Sequence, residues 1–180
     1  NGKHGEQMAS QTQYGIDFGT STLLASVQQG VDTSILALGG KGQSWIESSC
    51  VETADGYAVG LELATATPRQ GANGPAEVFS PKERLTAAGP DEDLERLRKP
   101  IEKMFKHILS QMEQLGHDPR RQDVRIACPV EWDARKREFL IDCARNAGLS
   151  KVNLAELIEE PIAAATKWLQ ENPQGLGVGE

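Results

Sequence analysis

The sequence predicts a domain of the α/β class, built on a five-stranded mixed sheet flanked by helices. Two observations predict it: three short apolar runs rich in strand-forming residues open the chain, and alternating helical and strand-like segments follow. The 180 residues are 38% hydrophobic and 25% charged, which is the composition of an ordinary globular domain with its own core.

The opening strands are predicted as an antiparallel meander over residues 14–18, 23–28 and 31–38. Gly-Thr-Ser separates the first two runs, and Gln-Gly separates the second from the third. A further hairpin, over residues 46–52 and 57–59, is expected outside this sheet, because a turn-type Ala-Asp-Gly triplet lies between its strands. The prolines and glycines of residues 67–90 predict an irregular excursion.

The pattern becomes helical at Pro100. Apolar residues recur there at helical spacing, and Gly116 suits the end of one long amphipathic helix. A helix over 133–147 is predicted with Asp133 as its N-cap and Gly148 as its stop. The remaining predicted elements are strands over 124–128 and 152–158 and a last helix over 161–169.

This order of three strands, then helix, strand, helix, strand and helix, is typical of the ribonuclease H-like fold. In that fold the two later strands lie parallel to the first, and helices cover the sheet. We expect residues 14–38 and 92–170 to form this core and residues 39–91 to form a small inserted α+β subdomain. Residues 1–13 are predicted to be a tag remnant and leader, and residues 171–180 a linker.

Charge and hydropathy argue against two classes of partner. A net charge of -7 disfavours nucleic acid as the main partner, because binding to a polyanion needs clustered Lys and Arg. No stretch approaches the roughly twenty apolar residues that a membrane span needs. The three cysteines are widely spaced, which predicts reduced thiols and a cytoplasmic protein. The histidines share no ligand spacing, so surface positions are expected for His4, His107 and His117.

Residues 14–22, with the sequence YGIDFGTST, form the most informative segment. A strand delivers the Asp17 carboxylate at its end, and the chain then turns through Gly19, Thr20 and Ser21. Backbone N–H groups in such a turn can converge on phosphate oxygens, while a carboxylate holds a hydrated divalent cation. A plain hairpin with a convenient glycine explains the same residues, and this segment alone leaves both interpretations open.

The same segment resembles the first phosphate-binding motif of the seventy-kilodalton heat-shock chaperones, which belong to the actin-like ATPase superfamily. Three further segments resemble that family in the same order along the chain. They are residues 78–85 (VFSPKERL), residues 126–137 beginning IACPVEW, and residues 148–165 ending in LIEEPIAAA. Four ordered matches across residues 14–169 are more specific than any one of them. The chain is therefore similar to the N-terminal lobe of that family's nucleotide-binding domain.

The resemblance implies a nucleotide site that binds ATP or ADP with Mg²⁺. Asp17 would order the hydration shell of the magnesium ion, and Thr20 and Ser21 would contact the phosphates. Gly19 and Thr22 of the same turn would complete the cofactor-binding residues. Such a site works by positioning and charge neutralisation, which is what phosphoryl transfer chiefly requires.

Four residues outside the turn complete the implied machinery. Lys82 would steady the terminal phosphate and the attacking water, and Glu160 would hold a water near the reacting centre. Pro129 and Arg137 would relay the nucleotide state to a substrate-binding domain. Each has a plain rival: a solvated lysine, an acidic residue favoured at a helix start, a strand terminator and an exposed helical charge.

The sequence departs from the family pattern in ways that indicate a divergent relative. Thr22 stands where the family usually has an aromatic or amide side chain. Residues 130–132 (VEW) stand where it has Ala-Tyr-Phe, and the excursion between Lys82 and Pro129 is shorter. None of these changes removes a catalytic group, but the last puts partner contacts of the inserted subdomain in question.

The function expected from the resemblance is that of a chaperone ATPase whose full-length parent couples nucleotide turnover to peptide binding and release. Its expected partners are a second ATPase lobe, a substrate-binding domain, unfolded peptide clients and co-chaperones. The second phosphate loop of the family is expected beyond this chain, so the chain alone should hydrolyse ATP negligibly and bind it weakly. The alternatives are a non-catalytic docking lobe and a sugar kinase or filament-forming relative. A nuclease of the same fold would need several clustered carboxylates.

Overall fold

The fold is a mixed α/β arrangement in which a single main sheet contains both parallel and antiparallel strands. The computed structural model describes residues 12–153, 155 and 157–160. The strands are β1 (Thr12–Phe18), β2 (Thr22–Gln29), β3 (Asp32–Ile35), β4 (Trp45–Glu47), β5 (Cys50–Thr53), β6 (Gly56–Val59), β7 (Gln70–Gly71), β8 (Gly74–Pro75), β9 (Asp123–Cys128) and β10 (Leu157–Glu159). The helices are α1 (Pro81–Ala87), α2 (Arg98–Gln114) and α3 (Ala134–Ala147), with short 3-10 turns at Gly60–Thr65, Glu95–Leu97 and Pro119–Arg121.

The main sheet has the strand order β10-β9-β1-β2-β3. Strands β1, β2 and β3 are antiparallel neighbours, whereas β9 pairs in parallel with β1, and β10 in parallel with β9. The prediction that the two later strands run parallel to the first is confirmed. Parallel strands end at the same edge of a sheet, so the carboxyl ends of β1, β9 and β10 lie together.

The predicted count of five strands is wrong, because β4 adds a sixth. It pairs with the first half of β2 at Thr22–Leu24, while β3 pairs with the second half at Ser26–Gln29. β2 is eight residues long and β3 only four, so β3 alone would leave part of the edge of β2 unpaired. The predicted hairpin strand over 46–52 therefore splits into β4, in the main sheet, and β5, which pairs with β6.

The hydrophobic core lies between one face of the sheet and the two long helices. Alternate residues of β1 point into it, and Phe18 stacks on Phe105 of α2 with 5.1 Å between ring centroids. The apolar stripe predicted for the long helix is buried from Ile101 to Met112, whereas Leu115, the next apolar residue at that spacing, is exposed; α2 packs against α3. Buried residues of the 39–91 segment, including Ile46, Cys50 and Leu85, belong to this same core.

The excursion over residues 67–90 is not irregular throughout, as had been expected, because it contains α1. Ser80 is the N-cap of this helix and Pro81 its first residue. Both are local signals for a helix start, and the prolines and glycines around them obscured the pattern. This correction matters for the site, because α1 carries Lys82.

The boundaries of α3 agree closely with expectation, whereas those of β1 and β10 differ from it. α3 begins after Asp133, whose side chain accepts a hydrogen bond from the Lys136 N–H, and ends at Gly148 with φ of 125°. β1 begins at Thr12, inside the range predicted as leader, and β10 begins later than predicted. The predicted last helix over 161–169, the linker over 171–180 and residues 1–11 lie outside the described residues. None of the described helices has the length and apolarity needed to cross a bilayer.

The surface position expected for His107 is wrong, because this residue is buried on α2. Its Nε2 accepts a hydrogen bond from the Leu61 N–H at 3.4 Å, and its Nδ1 lies 3.7 Å from a carboxylate oxygen of Glu62. Gly60 has a φ of 52°, and a Cβ there would lie 2.9 Å from the His107 ring, so a glycine is needed. His117 is half-buried beside Tyr14, and His4 lies outside the described residues.

The burial of His107 predicts a pH-dependent stability. Burial lowers the pKa of His107 below its usual value; Glu62 opposes this shift and Lys103 adds to it. As the pH falls below about 6.5 the unfolded chain binds a proton that the folded chain resists, so the free energy of unfolding decreases. His107→Gln keeps an acceptor for the Leu61 N–H, so its free energy of unfolding should decrease less at low pH than that of the natural chain. Urea unfolding at several pH values measures this. If His107→Gln and His117→Gln change the pH profile equally, the prediction fails.

Candidate functional site

The predicted site residues that the structure describes gather at one edge of the sheet. Asp17 is the next-to-last residue of β1, Pro129 follows β9, and Glu160 follows β10. The parallel pairing of these three strands brings them together. Asp17 in β1 and Ile158 in β10 are both register partners of Ala127 in β9. Ligands in α/β proteins commonly bind outside the carboxyl ends of strands, which is where this edge lies.

The turn between β1 and β2 is a tight hairpin, and hydrogen bonds hold its tip, Thr20 and Ser21, in place. A Cβ on Gly19 would lie 2.2 Å from the backbone oxygen of Thr22, so only glycine fits this closure. The carbonyl of Thr20 accepts a hydrogen bond from Ser80 Oγ at 2.8 Å, and the carbonyl of Ser21 accepts one from the Ser48 N–H at 2.9 Å. Thr20 and Ser21 are exposed, so the fixed tip faces solvent.

Lys82 is buried, against the interpretation of a solvated lysine. Its side chain is 3% exposed, and its Nζ forms an ion pair with Glu160 Oε1, while the Glu160 side chain is 40% exposed. A buried ammonium is stable only with a close anionic or hydrogen-bonding partner. The pair joins two segments 78 residues apart in sequence and leaves the carboxylate side open to solvent.

Asp17 completes a small group of charges with Lys82 and Glu160. It is exposed at the protein surface, yet the neighbouring protein raises its pKa above the ordinary value, with partial burial as the main cause. The positive charge of Lys82 works against this rise and the negative charge of Glu160 adds to it, which places both side chains within electrostatic reach of Asp17. Two carboxylates and one ammonium therefore share this edge of the sheet.

Pro129 and Arg137 lie beside the same edge. Pro129 is buried at the end of β9, and the Arg137 guanidinium donates to the carbonyls of Trp132 and Val130 at 2.9 and 3.0 Å. Arg137 also pairs with Glu159 at 3.2 Å, one residue before Glu160. The interpretation of Arg137 as a merely exposed helical charge is therefore wrong, because its side chain links α3 to the turn after β9 and to the end of β10.

Cys128 lies within electrostatic reach of several of these groups. It is a buried free thiol at the end of β9, and burial raises its pKa. The charge of Arg137 lowers that pKa, those of Glu160 and Glu159 raise it, and that of Lys82 lowers it. Four of the charged residues at this edge thus affect the pKa of this one thiol.

The structure thus brings together all nine predicted site residues, while their chemical roles stay predictions. Sequence reasoning missed two residues that hold this arrangement: Ser80, which contacts the hairpin tip, and Glu159, which pairs with Arg137. Ser80 had a usable signal, because a serine three residues before a glutamate is typical of a helix start. Glu159 had none, since its partner is 22 residues away in sequence.

Across the described ranges, no three His, Cys, Asp or Glu side chains converge as direct ligands of a metal ion. The role predicted for Asp17 is to hold a magnesium ion through its bound water molecules, and this role needs no such cluster. The available charges do fit a magnesium-bound phosphate group: an ammonium for the phosphate oxygens, and carboxylates for a hydrated cation.

Comparison with known proteins assigns no family to this chain. No family model matches the sequence, and no curated protein matches it significantly. What supports a function is therefore the geometry around Asp17, Lys82 and Glu160, together with the four ordered motifs of the sequence.

The raised pKa of Asp17 predicts that removing its charge stabilises the fold. Between the usual Asp pKa near 3.8 and the higher folded value, the unfolded chain loses its proton first, so the free energy of unfolding falls as the pH rises. Asp17→Asn should therefore be more stable than the natural chain at neutral pH, and the difference should vanish at a pH below both values. Chemical denaturation at both pH values measures this.

The matched control is Asp32→Asn, the same change at the exposed edge strand β3 and at the other end of the sheet. It should leave the free energy of unfolding nearly unchanged. Loss of stability in Asp17→Asn at neutral pH would contradict the prediction.

Proposed function

We propose that this chain is the N-terminal lobe of the ATPase domain of a heat-shock-type molecular chaperone, and that it binds the phosphates of ATP or ADP together with Mg²⁺. In the full-length parent this lobe would act with a second ATPase lobe to drive peptide binding and release. The chemistry proposed is hydrolysis of the terminal phosphate.

The observation that carries the proposal is the buried Lys82 ammonium, paired with Glu160 and within electrostatic reach of Asp17. Burying a lysine is costly, and a lysine that only supports the fold is more simply left in solvent. A lysine ammonium has three donors and Glu160 Oε1 takes one of them, so the same group can also donate to a phosphate oxygen. Buried titratable groups with charged neighbours at the end of parallel strands are typical of functional sites.

Each side chain has a role that its position supports. Asp17, at the solvent-exposed side, would hold a hydrated cation, and bound Mg²⁺ would supply positive charge to the phosphate oxygens. Lys82 would orient and neutralise the terminal phosphate, and Glu160 would pair with the ammonium and hold a water at its solvent-exposed side. The tight turn at Gly19 fixes the hairpin tip, where Thr20 and Ser21 would contact the phosphates.

The finer fold assignment belongs to the same proposal. We infer a ribonuclease H-like core, supported by three antiparallel strands followed by two parallel ones in the order β10-β9-β1-β2-β3. The choice of a chaperone over a sugar kinase or filament-forming relative is supported by the LIEEPIAAA segment, of which residues 157–160 are described. Three buried free cysteines are consistent with a cytoplasmic, reducing location.

Titration of the full chain with Mg·ATP, followed by amide chemical shifts in ¹H–¹⁵N spectra, tests the proposal. We expect saturable shifts at residues 19–22 and at Lys82, with weak affinity. Lys82→Met should weaken binding at least about tenfold, because it removes a charge-assisted hydrogen bond. Gly19→Ala should also weaken it, because the added Cβ displaces the turn.

Lys106→Met is the matched control, since Lys106 is an exposed lysine on α2, and it should bind like the natural chain. Unchanged spectra with Mg·ATP would reject nucleotide binding and favour the non-catalytic docking lobe. Equal effects of Lys82→Met and Lys106→Met would reject the role given to Lys82.

A further inference from the structure

Ser80 connects the hairpin tip to the helix that carries Lys82. Its Oγ donates to the Thr20 carbonyl at 2.8 Å and accepts from the Glu83 N–H at 3.3 Å. The same hydroxyl therefore caps α1 and anchors the hairpin tip. Lys82 is only two residues further along the chain.

The backbone just before Ser80 is fixed independently. Phe79 and Cys50 exchange two backbone hydrogen bonds, of 2.8 and 2.9 Å, and Cys50 is fully buried in β5. Pro81 restricts the backbone immediately after Ser80. A small change at the Ser80 side chain therefore moves the tip relative to α1 rather than being absorbed by local flexibility.

We propose that Ser80 is a positioning residue, whose hydroxyl sets the separation between the Thr20–Ser21 tip and the Lys82 ammonium. This inference rests on the proposed function, since it concerns how phosphate donors from two segments are brought to one ligand. A phosphate held by both the tip and Lys82 needs both at a fixed spacing, and small displacements of positioning groups reduce binding and catalysis. In this role Ser80 acts through the tip and Lys82, and it needs no contact with the phosphate.

The test uses the full chain, with Mg·ATP as the probe and amide shifts as the measure of affinity. Ser80→Ala should weaken binding about fivefold, the effect of one lost neutral hydrogen bond. Ser80→Thr keeps a hydroxyl that both donates and accepts, so it should restore the natural affinity. In a Lys82→Met background, Ser80→Ala should have almost no further effect, because Ser80 acts through the placement of Lys82.

Asp133→Ala separates this role from simple helix capping. Asp133 caps α3 by accepting from the Lys136 N–H at 2.9 Å, so its loss should lower the denaturation midpoint about as much as Ser80→Ala does. Its affinity for Mg·ATP should stay at the natural value.

The outcomes distinguish this inference from the proposed function. If the natural chain shows no saturable response to Mg·ATP, the proposed function and the role of Ser80 both fail. If the natural chain binds but Ser80→Ala binds equally well, only the role of Ser80 fails. An equal loss of affinity in Ser80→Ala with and without Lys82→Met would also overturn it.

Discussion

The ion pair between Lys82 and Glu160 is the interaction on which the arrangement of this edge depends. An unpaired ammonium in the protein interior would carry a desolvation penalty of several kcal/mol. The burial of the lysine therefore depends on the Glu160 carboxylate beside it. Since Glu160 follows β10 directly, this requirement ties the position of α1 to the last described strand of the parallel part of the sheet.

The helix that carries Lys82 is fixed at both of its ends. At its start Ser80 contacts the hairpin tip, as described above. At its end the Thr86 side chain accepts from the Trp132 indole N–H at 3.1 Å, and the Thr86 carbonyl accepts from the Lys136 ammonium at 2.8 Å. The guanidinium of Arg135 adds bonds to two carbonyls just beyond the helix. α1 thus connects the turn after β1 to the segment at the start of α3, which includes Arg137.

Local signals in the sequence predicted the parts of this structure that depend on neighbouring residues. α3 was bounded correctly because Asp133 and Gly148 act within one turn of the helix ends. β4 was assigned to the wrong sheet because its partner, β2, is chosen by edge pairing across the chain rather than by residues near it. Likewise, nothing in the charged run around Lys82 marks that lysine as buried, since its burial depends on Glu160. The sequence predicted the site residues only through the order of the four motifs. It did not predict the contacts that hold those residues in place.

Asp17 shows how this edge would couple the proposed ligand binding to stability. Its raised pKa means that the folded chain holds the ionised carboxylate at some cost, mainly because the carboxylate is partly buried; Lys82 offsets part of this cost and Glu160 adds to it. A cation bound near Asp17 favours the ionised form, and by linkage it lowers the pKa of that carboxyl and stabilises the folded state. A phosphate group bound by Lys82 would add negative charge to the same edge, so a bound cation would favour the phosphate and a bound phosphate would favour the cation. This group of charges therefore suits a phosphate that arrives with its metal ion better than either component alone.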